Sequence, residues 1–210
     1  MTAGNGQTVR RRRWGDSRAF SDVGEAAQLL LDAAGRCIER RGSTRISMAD
    51  VAEEAGVTRS TLYRYFPNRI ELVTALLLSR AEGFVAASAA ALSAPDNAAA
   101  SLTSIILHPI ERARTSALSV ALFAPESGGI AMSVEMESDA VFEIAMRHYG
   151  PMLTLWQKSG QLHEDLEIET IIRWITALAL VLLSSPWREL SPAERRTFVD
   201  KYVARALLKS

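Results

Sequence analysis

Over residues 58–69 the chain carries three arginines, Arg59, Arg64 and Arg69, and five hydroxyl side chains, Thr58, Ser60, Thr61, Tyr63 and Tyr65, with no aspartate or glutamate. Guanidinium forks and hydroxyls on one short element are donors for phosphate oxygens and for the acceptor-rich edges of bases. A second basic cluster precedes them: Arg10, Arg11, Arg12 and Arg13, then Arg18, stand among Gly, Asn, Gln and Thr without apolar periodicity. That composition predicts a disordered basic arm over residues 1–21, read either as a solvated tail or as an arm laid along phosphates or in a minor groove. Formal charge is zero overall, yet residues 1–69 hold 12 arginines against 8 acids, and residues 70–210 hold 12 Lys and Arg against 16 acids. The two parts are therefore expected to meet different partners, a polyanion for the first.

Other chemistries lack their residues. No Gly-x-Ser-x-Gly elbow, no His-Glu-x-x-His and no complete phosphate loop occurs, so an enzyme is not expected although serines, histidines and carboxylates are present. Gly128 and Gly129 read as a loop, since no Lys-Ser/Thr follows them. His108, His148 and His163 show no ligand spacing, and Cys37 is the one cysteine; neither a metal site nor a cofactor is expected. Cys37 falls on the apolar face of a predicted helix and reads as a small core residue. A single cysteine requires no oxidising compartment, and the early arginines are followed by no apolar leader segment. The longest apolar stretch, 175–183, is interrupted by Thr176 and falls far short of the ~18 residues that span a bilayer, so a cytoplasmic protein with no membrane partner is expected.

The elements that must position the basic groups follow from pattern. Of 210 residues 48% are apolar, enough for a sizeable core, while aromatics make up 7% and alanine and leucine abound, which favours an all-α chain. Ala27, Leu30, Ala34, Cys37 and Ile38 recur at helical spacing and predict a helix over 23–41, ended by Gly42. Ser47 with Asp50 three residues on predicts a capping box, with Ile46 and Val51 as the staple, for a helix ending near Ala55. Gly56 supplies a turn, and Thr58 caps a third short helix that stops near Pro67. Asn68 and Glu71 open a long helix to about residue 88. Further helices are expected over 98–114, 116–123, 132–149, 151–159 and 166–184, and from Ser191, where Ser191-Pro192-Ala193-Glu194 combines cap, proline at the first position and capping-box glutamate.

Short helix, glycine-containing turn and short helix over 48–67 is the spacing of a helix-turn-helix, whose second helix enters the major groove. Val51, Ala52, Val57, Leu62 and Phe66 are suited to the core beneath it. The stretch MADVAEEAGVTRSTLYRYFPNRIEL, residues 48–72, resembles the signature of TetR-type bacterial repressors, including its Thr-Leu-Tyr-x-Tyr-Phe ending. The likeness spans roughly residues 30–77. It implies a three-helix DNA-binding domain over 22–69, a helical ligand-binding and dimerisation domain over 70–210, and a homodimer on a palindromic double-stranded operator, released when a small effector spreads the two heads. Carried over to this chain, Arg59 and Ser60 would meet base edges, and Thr61, Tyr63 and Tyr65 mainly phosphates. Arg69 stands where relatives usually have lysine, and Ser60 where many have glycine. Ser47 would present the start of its helix to phosphate.

For the second part no motif transfers. Phe84, Ile106, Phe123, Met132, Met136, Phe142, Met146 and Trp156 lie on predicted middle helices and are candidates to line an apolar pocket for a largely apolar effector. The helix over 166–184 is apolar on more than one face and must be buried on several sides, by core or by another subunit; it and the segment 191–208 are expected to pair with a second copy of the chain. The rival reading is a helical adaptor or ligand-binding protein that no longer holds an operator; the presence of Arg59, Tyr63 and Arg69 argues against it.

Overall fold

The computed structural model describes residues 23–91, 98–122, 139–183 and 187–209. The helices are α1 (Val23–Arg41), α2 (Met48–Ala55), α3 (Arg59–Tyr65), α4 (Arg69–Ala91), α5 (Ala98–Thr115), α6 (Ala117–Leu122), α7 (Ala140–Lys158), α8 (Ile168–Leu183) and α9 (Pro192–Phe198). A 3-10 turn, Trp187–Glu189, precedes α9, and α9 runs on through a π-helical turn, Val199–Ala204, into Arg205–Leu207. Among the described residues there is no strand; one isolated bridge joins Leu162 to Leu208. The chain is all-α, as expected.

Two cores organise these helices. In the first, Leu30, Ala34 and Ile38 of α1 meet Val51 and Ala52 of α2, Leu62 of α3, Leu72 and Leu76 of α4 and Leu118 of α6. In the second, Ile105 and Ile110 of α5, Tyr149, Leu153 and Trp156 of α7, Ile172 and Leu182 of α8 and Val199 and Val203 of the C-terminal helix pack together. Helix α4 serves both, through Leu72 to Leu77 at one end and Val85 at the other. Cys37 is buried in the first core, as its place on the apolar face of α1 predicts.

Local signals set the ends of the first helices. Gly42 ends α1 at φ +64, with its N–H donating to the Ile38 carbonyl at 2.7 Å, and Gly56 ends α2 at φ +69. A Cβ at Gly56 would touch nothing within 4 Å, so the left-handed backbone alone calls for glycine there. Ser47 accepts from the Asp50 N–H at 3.0 Å, but the predicted box is only half made, because the Asp50 carboxylate turns to Arg41 at 3.2 Å. The box after Ser191 is complete, with Ser191 accepting from the Glu194 N–H and Glu194 accepting from the Ser191 N–H.

One expected break is absent. Residues 140–158 form a single helix through Pro151 rather than two helices meeting there. Proline removes one i to i−4 bond and strains the turn before it, a cost of about 3 kcal/mol. Here Tyr149 on one side and Leu153 and Trp156 on the other are buried in the same core. Burying such side chains contributes roughly 1.5–3 kcal/mol each, which outweighs the local penalty.

Candidate functional site

The helix-turn-helix is built as its spacing requires. Val51 and Ala52 of α2 and Leu62 of α3 are buried, and Phe66 nearly so, so α3 is clamped along one side. Thr58 caps α3, accepting from the Thr61 N–H at 3.2 Å, and its hydroxyl lies 2.9 Å from those of Ser60 and Thr61. The opposite side of α3 is open: Arg59, Ser60, Tyr63 and Arg64 are exposed, with Tyr63 at 47%. Thr61 and Tyr65 are half-buried, Tyr65 packing against the first core while the Arg64 guanidinium stands 5.3 Å from its ring centre. Ser47 is exposed at the start of α2.

Electrostatics separates the two ends of this head. The Glu54 carboxylate of α2 takes Arg36 at 2.7 Å and Arg40 at 3.0 Å, both from α1, and those bonds hold its carboxyl below the usual carboxylate range. Asp50 takes Arg41. Two of the three acids of α2, Asp50 and Glu54, are thereby spent on α1, and Arg59 on α3 forms no ion pair among the described residues. Arg69 differs from its expectation: its Nη1 donates to the Thr44 carbonyl at 3.0 Å, tying the first turn of α4 to the loop before α2. One of its five donors therefore has a structural task. The arm, with Arg10 to Arg13 and Arg18, lies outside the described residues.

A cavity of about 780 Å³, counted to its open mouth, lies between α4, α5, α6, α7 and α8. Its wall is almost wholly apolar. Of the residues proposed from sequence for an apolar pocket, Phe84 and Ile106 line it, and Phe84 stands beneath the Arg112 guanidinium at 6.0 Å. Three other candidates do not line it. Phe142 is covered by Arg173, whose guanidinium sits 3.9 Å from the ring centre and is itself held by Asp139 at 2.8 Å. Met146 packs over Gly150, with its Sδ 3.2 Å from where a Cβ would stand. Trp156 is 0% exposed, a core residue on the inner side of α7. Phe123, Met132 and Met136 lie outside the described residues.

Sequence reading missed several wall residues. From α8 come Ile175, Thr176, Ala179, Leu180 and Leu183. The signal is the apolarity of α8 on more than one face, which calls for burial by core or by another subunit and does not by itself mark a cavity wall. From α7 comes Tyr149, whose hydroxyl is hydrogen-bonded to that of Ser88 of α4. Burial pushes its phenol up to about 12, against the opposing pull of the Ser88 bond, so the wall stays uncharged there at neutral pH. Arg80 of α4 completes the polar inventory, with Ser119 of α6.

An exposed recognition-type helix on a small head, joined through α4 and α6 to a cavity-bearing bundle, defines a class of all-α helix-turn-helix proteins. Comparison with known proteins agrees. Residues 30–76 match the family described as bacterial regulatory proteins, tetR family. The HTH-type transcriptional regulator TtgR of Pseudomonas putida is 43% identical over 60 residues, which are 29% of this chain and 29% of TtgR. The chain thus spans under a third of the length of that curated relative. Among solved structures, the TetR family repressor AlkX of Dietzia sp. superposes with a TM-score of 0.68 at 21% identity, covering 86% of this chain and 94% of AlkX. RolR in complex with resorcinol superposes at 0.63 with 17% identity, covering 88% of each chain. Residues 30–76 thus resemble the DNA-binding segment of that family, and the chain as a whole shares the fold of these structural neighbours.

Proposed function

We propose that this chain is a ligand-responsive transcriptional regulator, not an enzyme: a homodimeric repressor that holds a palindromic double-stranded operator and lets go when a small, largely apolar effector binds. The observation that carries this is the pairing of an unneutralised donor surface on α3 with an apolar cavity reached by the same helix, α4, that closes the head. Base edges fall to Arg59 and Ser60. Tyr63, Thr61 and Tyr65, with Ser47, Thr58 and Arg64, serve phosphates, and Arg69 divides its donors between Thr44 and the DNA backbone. The resorcinol bound to RolR supports a small-molecule effector.

Two copies would pair through α8 and the C-terminal helix, about 166–184 and 191–208. There Trp174 and Val181 are 40% and 39% exposed and Tyr202 is 57% exposed. One α3 per subunit then reaches successive major grooves ~34–36 Å apart. Among the described residues no helix is long and apolar enough to cross a membrane. A partner that is chromosomal DNA places the chain in the cytoplasm. The test is a gel-shift assay on the intergenic DNA beside its own gene, followed by genome-wide mapping of bound sites. Equal affinity for that DNA and for random duplex would remove the operator, leaving a ligand-binding protein of the same fold.

A further inference from the structure

Among the described residues lining the cavity Arg80 alone bears a charge; no carboxylate, lysine or histidine among them shares the wall. Its Nε is buried and has no hydrogen-bond partner among the described residues. Its Nη2 stands 3.7 Å from Asp32 Oδ1 of α1, an ion pair too long for a hydrogen bond. That same oxygen already accepts from Gln28 Nε2 at 3.0 Å. Two other polar wall residues are occupied: the Tyr149 hydroxyl by Ser88, and the Thr176 hydroxyl by the Ile172 and Arg173 carbonyls. A guanidinium offers five donors in a planar fork that fits a carboxylate through two parallel bonds. At Arg80 the fork is underused: its Nε is buried without a partner beside an almost wholly apolar wall, although the side chain as a whole is 40% exposed.

We propose that the ligand of this cavity is an apolar molecule bearing a single carboxylate, and that Arg80 receives the carboxylate at the expense of its contact with Asp32. The inference rests on the effector reading of the cavity and deepens it. One cation suits one acid group, whereas a diacid or polyphosphate would leave charge uncompensated against an apolar wall. Because Asp32 belongs to α1 and Arg80 to α4, the exchange weakens a contact between the head and the cavity helix. It thereby supplies the difference between free and bound states that ligand-driven release requires.

Calorimetric titration of the full-length chain with decanoate and with 1-decanol, alike in tail and different in head group, reads the preference directly. The wild-type chain is expected to bind decanoate at least ~10-fold more tightly than 1-decanol, as a charge-assisted pair implies. R80M, which keeps the stem's bulk, is expected to bind both alike. D32N, at a part-exposed side chain whose loss leaves the core intact, is expected to bind decanoate several-fold more tightly. Equal wild-type affinities, or a preference that survives in R80M, overturn the acid group while leaving an apolar effector cavity standing. Unchanged decanoate affinity in D32N overturns the exchange. Binding of neither probe, nor of shorter and longer homologues, overturns the effector reading of the cavity as well.

Discussion

The Tyr149 hydroxyl lies 3.5 Å from the Ile105 carbonyl, the acceptor that would take a helical N–H from position 109 were that residue not Pro109. A side chain from α7 thus covers a backbone group that α5 leaves open. It does so at the cavity wall, where Pro109 and Tyr149 both stand.

Replacing Tyr149 by Phe is expected to cost about 1–3 kcal/mol, because Ser88 and the Ile105 carbonyl both lose a buried partner. The pH dependence has a definite sign. The folded-state phenol is raised from 10.0 to about 12, so its contribution to stability is complete below pH 10 and is lost as pH rises toward 12. Urea melts across that alkaline range should show a loss in the wild-type chain that Tyr149→Phe lacks; parallel losses would assign it to other groups.

Arg59→Ala should relax base preference at one position in each half-site and cost ~1–3 kcal/mol if its fork pairs with guanine. Selection from randomised duplexes reads this. Arg69→Ala should weaken all sequences alike and also lower the melting temperature, since its bond to Thr44 is lost. A selected motif unchanged by Arg59→Ala would take that residue out of the reading surface.

The subunit contact is best probed at Val181. Leu178 is half-buried against the second core, so a charge there would disturb folding as well as pairing. Val181→Asp places the charge on the exposed side of α8. Light scattering should show a folded monomer with native circular dichroism. A dimer of undiminished affinity would move the interface elsewhere.

Glu82 of α4 stands 2.6 Å from His148 Nε2 and accepts from Arg147 Nη1 at 2.9 Å, joining α4 to α7. The His148 bond, aided by the Arg147 charge, holds its carboxyl below the usual range despite partial burial. The stabilisation is therefore present above the ordinary glutamate value of 4.5 and lost as pH falls through the lower folded-state value. Glu82→Gln should cost up to ~1 kcal/mol at pH 7, the scale of part-exposed pairs, and the difference should close in acid. A gap that persists at pH 3 in denaturant melts would point to packing instead.

Legibility in the sequence followed the range of the forces involved. The head was readable because its determinants are local: Ser47, Gly56 and Thr58 set ends within a few residues, and Val51 and Leu62 mark buried faces by period. The cavity was not, because its wall is assembled from five helices and depends on how each is rotated. Trp156 and Tyr149 share α7, yet the first fills the core without touching the cavity while the second forms part of the wall. Apolar type cannot distinguish those places. Pro151 shows the same limit in reverse, a strong local signal overruled by burial on both sides of it.

Because α4 contributes Leu72, Val73, Leu76 and Leu77 to the first core, the head's interior extends beyond the motif at 48–67. The family match likewise runs to residue 76. A hybrid regulator that grafts this head onto a foreign sensor would, if joined just after Pro67, inherit a hollow beneath α1. Joined beyond Leu77 it would keep the part of its floor that α4 supplies, though not Leu118, Ala121 and Leu122 of α6, and it would import Asp32 without its neighbour Arg80. The useful seam for recombination is accordingly past Arg80, where the α4 share of the head's core and the Asp32–Arg80 contact travel as one heritable piece.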